Sequence, residues 1–235
     1  MISLRAWKIL LPSSFLIAIN WSIYIFAVNI DRVIETAIGY YLNPLVTILF
    51  GVIFFKEKLT KVQMLAVALC FAGLLYFTVN YGSFPWISLG LALSFAAYGV
   101  FKKKGGYHPV LALTFENLIT FIPAIIVLLI VARVTDDHAF ANASHPHMLR
   151  TTLLLVLGGL VTAIPLLLFA WAANVVPLSW IGFLQYVSPT IALLLGVFLF
   201  DEPFTYAHIV CLILIWTGIA LVTGEMFMKT RKTNN

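Results

Sequence analysis

The chain has 235 residues, of which 62% are hydrophobic and 10% are charged, and its formal net charge is +5. A soluble domain contains roughly 45–50% apolar and about 25% charged residues, so this composition excludes a soluble globular protein. The basic residues lie between long apolar runs rather than on one polar face, which argues against nucleic acid as a partner. Cys70 and Cys211 lie inside apolar runs, so no disulfide scaffold is expected.

Eight apolar runs approach the length that crosses a bilayer, which is about 20 residues of helix. In lipid every backbone amide must be satisfied internally, and this favours helices. The predicted fold class is therefore all-α integral membrane with eight transmembrane helices, and the bilayer is the first predicted partner. The predicted spans are 9–28, 37–55, 62–79, 85–101, 111–132, 151–173, 178–200 and 206–224.

The basic residues are distributed asymmetrically between the two sides of the predicted membrane. With the N-terminus inside, all of the 14 basic residues except Arg32, Arg133 and Arg150 fall in cytoplasmic segments. An excess of Lys and Arg marks the cytoplasmic side. The sequence therefore predicts a multi-pass protein of the plasma (inner) membrane with both termini cytoplasmic, including a basic tail at 227–235.

One segment of the chain occurs twice, because residues 27–78 match residues 172–223 without a gap at an offset of 145. The matched pairs include Asn29/Asn174, Tyr41/Tyr186, Pro44/Pro189, Gly51/Gly196, Glu57/Glu202, Thr60/Thr205 and Gly73/Gly218. Internal duplication of membrane helices is typical of secondary transporters. The copies begin in spans one and six, so equivalent helices must cross the membrane in opposite directions. The sequence thus predicts an inverted repeat.

The two predicted half-repeats differ in length. Residues 85–226 form a five-helix repeat, whereas residues 1–84 contain only three helices. If the halves were once equal, two helices are missing from the N-terminal half-repeat. The expected architecture is then the remnant of a ten-helix inverted 5+5 repeat, which a late start codon, a truncated product or a reduced architecture would each explain.

A run of short motifs between about residue 10 and residue 224 is specific as a set, although each motif alone is weak. The run includes Asn20-Trp21, Ala27-Val28-Asn29, Glu35, Tyr40-Tyr41-Leu42-Asn43-Pro44, Lys56-Glu57-Lys58, Ser94-Phe95, Glu116, Gly158-Gly159, Leu184-Gln185-Tyr186 and Ser188-Pro189-Thr190. It resembles the RarD branch of the EamA family, in the drug/metabolite transporter superfamily. The resemblance implies ten helices in two inverted halves and a permease of the inner or plasma membrane. RarD members are often described as chloramphenicol-sensitivity proteins.

Glu116 is the main candidate for ion coupling. It lies within the predicted span 111–132, and a carboxylate that faces lipid is costly, so we expect it to face the bundle interior or a wet cavity. Burial favours the neutral form of a carboxyl group, which suits proton coupling. The alternative is an inner-interface residue that pairs with Lys102, Lys103 or Lys104 of the preceding loop.

Asn20, Trp21 and Asn29 lie on the first span or at its end, and Tyr24 shares a helix face with Asn20. Buried amides bind substrates in some membrane proteins and hydrogen-bond neighbouring helices in others, and both interpretations stay open. Trp21 lies in the middle of the span, away from the interfacial belt where aromatic residues collect. Its position favours a substrate cavity.

A Tyr-x-x-Pro motif occurs in both copies of the repeat, at residues 41–44 and 186–189. Proline lacks a backbone donor and kinks a helix, and carbonyl groups near such a kink can line a polar cavity. The other candidate substrate-binding residues near the kinks are Tyr40, Asn43, Gln185 and Tyr186. Pro44 and Pro189 are either purely structural or act as hinges for alternating access.

Several other polar and small residues are predicted to be structural. Glu57 and Glu202 occupy equivalent helix ends, where they would turn the chain or pair with adjacent lysines or local amides, and Thr60 and Thr205 can serve as N-caps. Glycines at equivalent positions, such as Gly73 and its repeat partner, would allow close helix approach. The histidines of the loop 134–150 lack metal-site spacing, so no metal and no other cofactor is predicted.

The protein is predicted to be a secondary transporter or permease. It would move small metabolites or drug-like molecules across the membrane, driven by an ion gradient. Its partners would be a small-molecule substrate and, as a candidate, a second copy of the chain in a homodimer. A transport-inactive protein, or one that needs a separate partner to complete the fold, is the alternative. No catalytic residue is predicted, because the polar residues are scattered over several membrane depths and no Walker, HExxH or GxSxG motif is present.

Overall fold

The computed structural model describes residues 4–30, 32–81, 86–134, 147–191 and 205–233. All regular secondary structure in these ranges is helical, which confirms the all-α class. The helices are α1 (Leu4–Asn29), α2 (Val33–Phe55), α3 (Lys61–Tyr81), α4 (Trp86–Gly105), α5 (Pro109–Val134), α6 (Met148–Val175), α7 (Leu178–Gln185) and α8 (Tyr206–Thr233), and a further helical segment covers 187–191.

Within the described ranges, six helices are long and apolar enough to cross a membrane, so this is a multi-pass membrane protein. These candidate spans are Ala6–Asn29, Ile38–Phe55, Lys61–Asn80, Pro109–Ile130, Met148–Val175 and Tyr206–Met228. They coincide with six of the predicted spans. Helix α4 coincides with the predicted span 85–101, but its last turn carries Lys102, Lys103 and Lys104, which lower its hydropathy.

The predicted span 178–200 is not one continuous helix in its described part. Helix α7 ends at Gln185, Tyr186 forms a turn, and the helix resumes at residue 187. Pro189 explains the interruption, because it has no N–H to donate to the Gln185 carbonyl four residues earlier. At the end of α7, the Tyr186 amide donates to the Phe183 carbonyl, three residues earlier, at 3.4 Å. This is the tighter pattern of a 3-10 turn. Residues 192–200 lie outside the described residues.

The first copy of the Tyr-x-x-Pro motif behaves differently from the second. Helix α2 continues through Pro44 from Val33 to Phe55 without a turn. The neighbouring helices of a membrane protein can support the backbone around an internal proline, so a proline need not end a membrane helix. Equivalent sequence motifs thus give a continuous helix in α2 and an interrupted one after α7.

The chain forms two compact units. The first comprises Met1–Ala18 and Phe101–Val175, and the second comprises Ile19–Val100 and Val176–Asn235. Helices α5 and α6 belong to the first unit, and α2, α3, α7 and α8 belong to the second. The half-repeats 1–84 and 85–226 divide the chain by its internal duplication and not by contacts, so they differ from these two units. The half-repeats stay a prediction.

Helices α3 and α8 pack closely against each other in the second unit. A Cβ added to Gly73 would lie 3.2 Å from the Cys211 carbonyl, and one added to Gly218 would lie 3.1 Å from the Ala66 carbonyl. This confirms that both glycines allow close helix approach. Because the later residue on α3 meets the earlier residue on α8, the two helices run antiparallel. Ala66 and Cys211 are also separated by 145 residues, so the two contacts are reciprocal under the repeat offset.

Helix α7 packs against α2 at a second glycine contact. A Cβ at Gly182 would overlap the Ile48 side chain and lie 2.7 Å from the Pro44 carbonyl. Only glycine allows two helix backbones to approach this closely. Tyr186, further along the chain, is fully buried in the core cluster beside these helices. That cluster consists of Ile38, Tyr41, Leu45, Cys70, Leu74, Phe77, Tyr186, Cys211 and Ile215.

Candidate functional site

Glu116 is buried in the first unit, and both of its carboxylate oxygens have partners. The Ser13 hydroxyl donates to Oε1 at 2.6 Å, and the Lys102 ammonium donates to Oε2 at 2.7 Å. The side chains of Lys102 and Glu116 are 5% and 2% exposed. Lys102 belongs to the last turn of α4 and not to a loop as predicted, because the helix continues to Gly105. The contact is the lysine pairing that was the alternative to proton coupling.

This ion pair has a structural consequence. Removing one partner of a buried pair leaves an uncompensated charge and typically costs about 3–5 kcal/mol. Ser13 lies on α1, Lys102 on α4 and Glu116 on α5, so the cluster joins the parts of these three helices that belong to the first unit. The geometry favours a positioning role for Glu116.

A small cavity adjoins the ion pair within the first unit. Its polar lining includes Ser13, Lys102, Glu116, Tyr107 and Asn174. The Asn174 amide donates to the Tyr107 carbonyl at 2.9 Å, which connects the end of α6 to the turn between α4 and α5. Asn174 is the repeat equivalent of Asn29. In the sequence Asn174 serves only to define the repeat, and no local pattern indicates its position beside this cavity.

Asn20 connects α1 to α4 in the second unit. Its amide donates to the Leu91 carbonyl at 2.8 Å and to the Ser94 hydroxyl at 2.9 Å. The Ser94 hydroxyl in turn donates to the Gly90 carbonyl at 2.7 Å. These are the interhelical hydrogen bonds expected of the helix-packing alternative, and they fix the start of the aromatic segment that follows Asn20.

Trp21, Tyr24 and Tyr40 form an aromatic cluster beside Asn20. The ring centroids of Trp21 and Tyr24 are 6.1 Å apart, and those of Tyr24 and Tyr40 are 6.0 Å apart, both in edge-to-face geometry. Trp21 is 39% exposed and Tyr40 is 46% exposed, so the cluster presents ring surface outward. Such surfaces bind apolar and amphipathic molecules well. The structure therefore brings together two candidate residues from different helices.

Two side-chain hydroxyls hydrogen-bond backbone carbonyls beside the interruption after α7. The Tyr41 hydroxyl donates to the Pro189 carbonyl at 3.2 Å, and the Thr190 hydroxyl donates to the Tyr186 carbonyl at 2.8 Å. The side-chain Oε1 of Gln185, by contrast, is buried and has no hydrogen-bond partner among the described residues. A buried acceptor of this kind is suited to a donor group on a ligand. Gln185 is the last residue of α7, directly before the interruption.

Asn29 and Asn43 make only local contacts. The Asn29 amide donates to the Ile25 carbonyl of its own helix at 2.7 Å and is exposed. The Asn43 side-chain oxygen accepts from the Thr47 hydroxyl at 3.4 Å, again within one helix. The structure shows neither residue joined to the aromatic cluster or to Gln185.

Glu57 holds the N-terminus of α7, although sequence reasoning expected pairing with lysines or local amides. Its Oε1 accepts from the Leu178 amide at 2.8 Å, and its Oε2 accepts from the amide and the hydroxyl of Ser179 at 2.9 and 2.7 Å. The first amides of a helix lack intrahelical acceptors, and a carboxylate there is favourable. The N-cap residue of α7, Pro177, makes no side-chain cap hydrogen bond. Because a proline side chain has no hydrogen-bond acceptor, the acceptor for the first amides of α7 must come from elsewhere in the fold.

Thr60 forms the predicted cap of α3. Its hydroxyl accepts from the Gln63 amide at 3.2 Å, and Gln63 Oε1 accepts from the Thr60 amide at 3.0 Å, which is a capping box. Thr205, the equivalent residue before α8, makes a different contact. Its amide donates to His208 Nδ1 at 3.2 Å. Glu202 and most of the histidine loop lie outside the described part of the chain, whose His, Cys, Asp and Glu residues form no group that could hold a metal ion.

Comparisons with known proteins agree with this helical membrane architecture. The model of the EamA-like transporter family matches residues 1–79 and 85–224. The uncharacterized transporter YojE of Bacillus subtilis is 39% identical, with 94% of this chain and 77% of that protein covered. The protein RarD of Streptomyces exfoliatus is 39% identical, with 92% and 67% covered. A crystal structure with 17% identity shares the fold at a TM-score of 0.67, covering 92% of this chain and 78% of that one. The chain therefore belongs to the EamA-like transporter family, in its RarD branch.

Proposed function

We propose that this protein is a secondary carrier that moves small metabolites or drug-like amphiphiles across the plasma (inner) membrane, driven by an ion gradient. Membership in a transporter family supports the transport activity. The positive charges on one side of the predicted spans support an orientation with both termini in the cytoplasm. In this orientation, the exposed Arg32 side chain lies at the outer end of α1 and α2.

The main support for a carrier mechanism is the packing of repeat-equivalent helices in the second unit. Helix α3 packs antiparallel on α8 through the reciprocal contacts of Gly73 with Cys211 and Gly218 with Ala66. In carriers built from inverted repeats, the substrate binds between the repeats, and alternating access arises when one repeat rocks against the other. The two glycine contacts would form the pivot of such a motion.

The substrate surface that we propose combines the aromatic cluster with Gln185. Trp21 and Tyr40 offer exposed ring surface, and Gln185 Oε1 offers a buried acceptor without a partner among the described residues. A small amphiphile with a ring and a hydrogen-bond donor has the matching chemistry. Pro189, next to the interruption after α7, is the hinge candidate, whereas Pro44 lies in a continuous helix.

Transport can be tested with purified protein in liposomes. Radiolabelled chloramphenicol is a suitable first probe because the drug appears in the name of a RarD relative. We expect gradient-dependent flux in the wild type and reduced flux in Trp21→Ala and Tyr40→Ala. The matched control is Trp171→Ala, because Trp171 is 60% exposed on α6 and belongs to no proposed site.

The outcomes of this experiment separate the site from the function. Equal loss of flux in Trp21→Ala and Trp171→Ala would contradict the aromatic substrate surface. A folded wild type that moves neither chloramphenicol nor any compound of an amphiphile screen, under proton or sodium gradients, would contradict the proposed function.

A further inference from the structure

Glu35 is a buried carboxylate that the proposed substrate surface does not use. It lies in the first turn of α2 and is 1% exposed. Its Oε1 lies 3.0 Å from the Arg32 guanidinium, whereas its Oε2 is buried and has no hydrogen-bond partner within the described ranges. A buried acceptor left without a donor is unfavourable, and more so when it is charged. Oε2 is therefore an open position on an otherwise enclosed carboxylate.

Glu35 differs from Glu116 in how its charge is compensated. Glu116 has a buried lysine on one oxygen and a hydroxyl on the other. The side chain of Arg32 is 55% exposed, so water screens its charge in part. The charge of Glu35 is therefore less fully compensated than that of Glu116. A proton on Oε2 would remove that charge.

The surroundings of Glu35 connect it to the proposed substrate surface. The Ser88 hydroxyl of α4 donates to the Glu35 backbone carbonyl at 2.5 Å. One turn further along α4, the Leu91 carbonyl accepts from Asn20, the residue before Trp21. Glu35 and Asn20 therefore pack against successive turns of α4. Among the described residues, the charged group that contacts Glu35 is Arg32, and α4 presents the neutral Ser88.

We propose that Glu35 is the proton-binding carboxylate of this carrier. Oε2 accepts a proton from the side of the protein on which Arg32 is exposed, the carboxylate becomes a neutral carboxylic acid, and the pair with Arg32 is released. Loss of the same proton restores the carboxylate and the pair. The meaning of this step as ion coupling rests on the proposed transport function, whereas proton binding itself is measurable without a substrate.

The test is infrared difference spectroscopy of the protein in lipid nanodiscs, with the pH lowered from about 8 to about 5, above the range in which exposed carboxyl groups titrate. The wild type should gain the C=O band of a buried carboxylic acid, and Glu35→Gln should lose that band. The variant keeps the side-chain oxygen that faces Arg32, so its melting temperature should remain close to that of the wild type. The comparison variant K102M/E116Q removes Glu116, the other buried carboxylate among the described residues, together with its lysine, and it should keep the band.

A second variant tests the same assignment without altering Glu35. Arg32→Gln removes the positive charge that favours the ionised carboxylate, so the band should appear at a higher pH than in the wild type. A wild type without such a band, a band that persists in Glu35→Gln, or a band unmoved in Arg32→Gln would overturn the assignment.

Transport adds a separate outcome. If a pH gradient drives chloramphenicol flux in the wild type, this flux should be at least tenfold lower in Glu35→Gln. Undiminished flux in the variant would overturn the assignment. If the wild type shows the band but no flux of any compound, the proposed carrier function fails, while the proton site stands.

Discussion

Glu35 and Glu116 show how the partners of one residue type decide its role. Both carboxylates are buried, but Glu116 is bound on each oxygen, whereas Glu35 has one oxygen without a partner among the described residues. Glu116 lies within the predicted span 111–132, whereas Glu35 lies just before the predicted span 37–55, so the sequence favours Glu116 for ion coupling. Of the three lysines that the sequence offers as partners of Glu116, the structure pairs it with Lys102, at 2.7 Å.

The first prediction concerns the Lys102–Glu116 pair. Lys102→Met should destabilise the protein by about 3–5 kcal/mol, because it leaves the Glu116 charge buried without compensation. The double variant K102M/E116Q should recover most of this loss, because both charges are gone. Unfolding of the wild type, Lys102→Met, Glu116→Gln and the double variant in detergent, followed by tryptophan fluorescence, gives the coupling energy. Equal destabilisation by the single and the double variant would contradict the account.

The second prediction concerns the carboxylate that caps α7. Glu57→Gln should cost about 1–3 kcal/mol, because an amide NH2 then faces one of the backbone donors of Leu178 and Ser179. Lys58→Gln, at the exposed neighbouring position, is the matched control and should be close to neutral. Thermal melting of the three proteins provides the measurement. A loss in the control as large as that in Glu57→Gln would argue against the cap.

At the scale of elements, close packing of α7 on α2 depends on a single glycine. Gly182→Ala should lower the melting temperature and the transport rate, because the new methyl group would meet the Pro44 carbonyl and Ile48. Gly158→Ala is the control, because a Cβ there has no atom within 4 Å. Alanine also favours a helix over glycine by about 1 kcal/mol, so the control should be neutral or slightly stabilising. A melting temperature unchanged in Gly182→Ala would show that α7 does not need this contact.

The interruption after α7 leads to a prediction about motion. Pro189→Ala supplies the missing N–H for the Gln185 carbonyl and lets the helix close. The transport rate should then fall, while expression and melting temperature stay near those of the wild type. Initial rates of chloramphenicol flux in liposomes, normalised to inserted protein, provide the measurement. Loss of expression without a change in the rate per molecule would assign Pro189 a structural role.

The elements show where sequence reasoning succeeds and where it fails. Long apolar runs place the membrane helices because bilayer thickness fixes their length, and the capping box at Thr60 is a local pattern. The same Tyr-x-x-Pro motif lies in the continuous helix α2 and at the break after α7, so the local pattern does not encode the difference. The cap from Glu57 to α7 joins residues 121 positions apart. In so apolar a chain, lipid-facing and core-facing positions look alike, so periodicity did not reveal that Trp21 and Tyr40 share one cluster.

For the whole molecule, the repeat in the sequence and the packing of α3 on α8 lead to the same expectation. The reciprocal glycine contacts are those expected of two antiparallel helices related by an approximate two-fold axis. In a carrier with such a relation, the two repeats can exchange roles between the inward-open and the outward-open state. The transport roles proposed for the aromatic cluster, Pro189 and the proton of Glu35 assume this relation, whereas proton binding by Glu35 does not.

The inverted repeat is tested most directly by the sidedness of equivalent positions. Lys61 and Tyr206 are exposed, begin α3 and α8, and are separated by the repeat offset of 145 residues. We predict that a membrane-impermeant thiol reagent applied to intact cells labels Tyr206→Cys but not Lys61→Cys, and that inside-out vesicles give the reverse. The wild type, whose two cysteines are buried, provides the background. Labelling of both positions from the same side would contradict the antiparallel repeat and, with it, the proposed carrier mechanism.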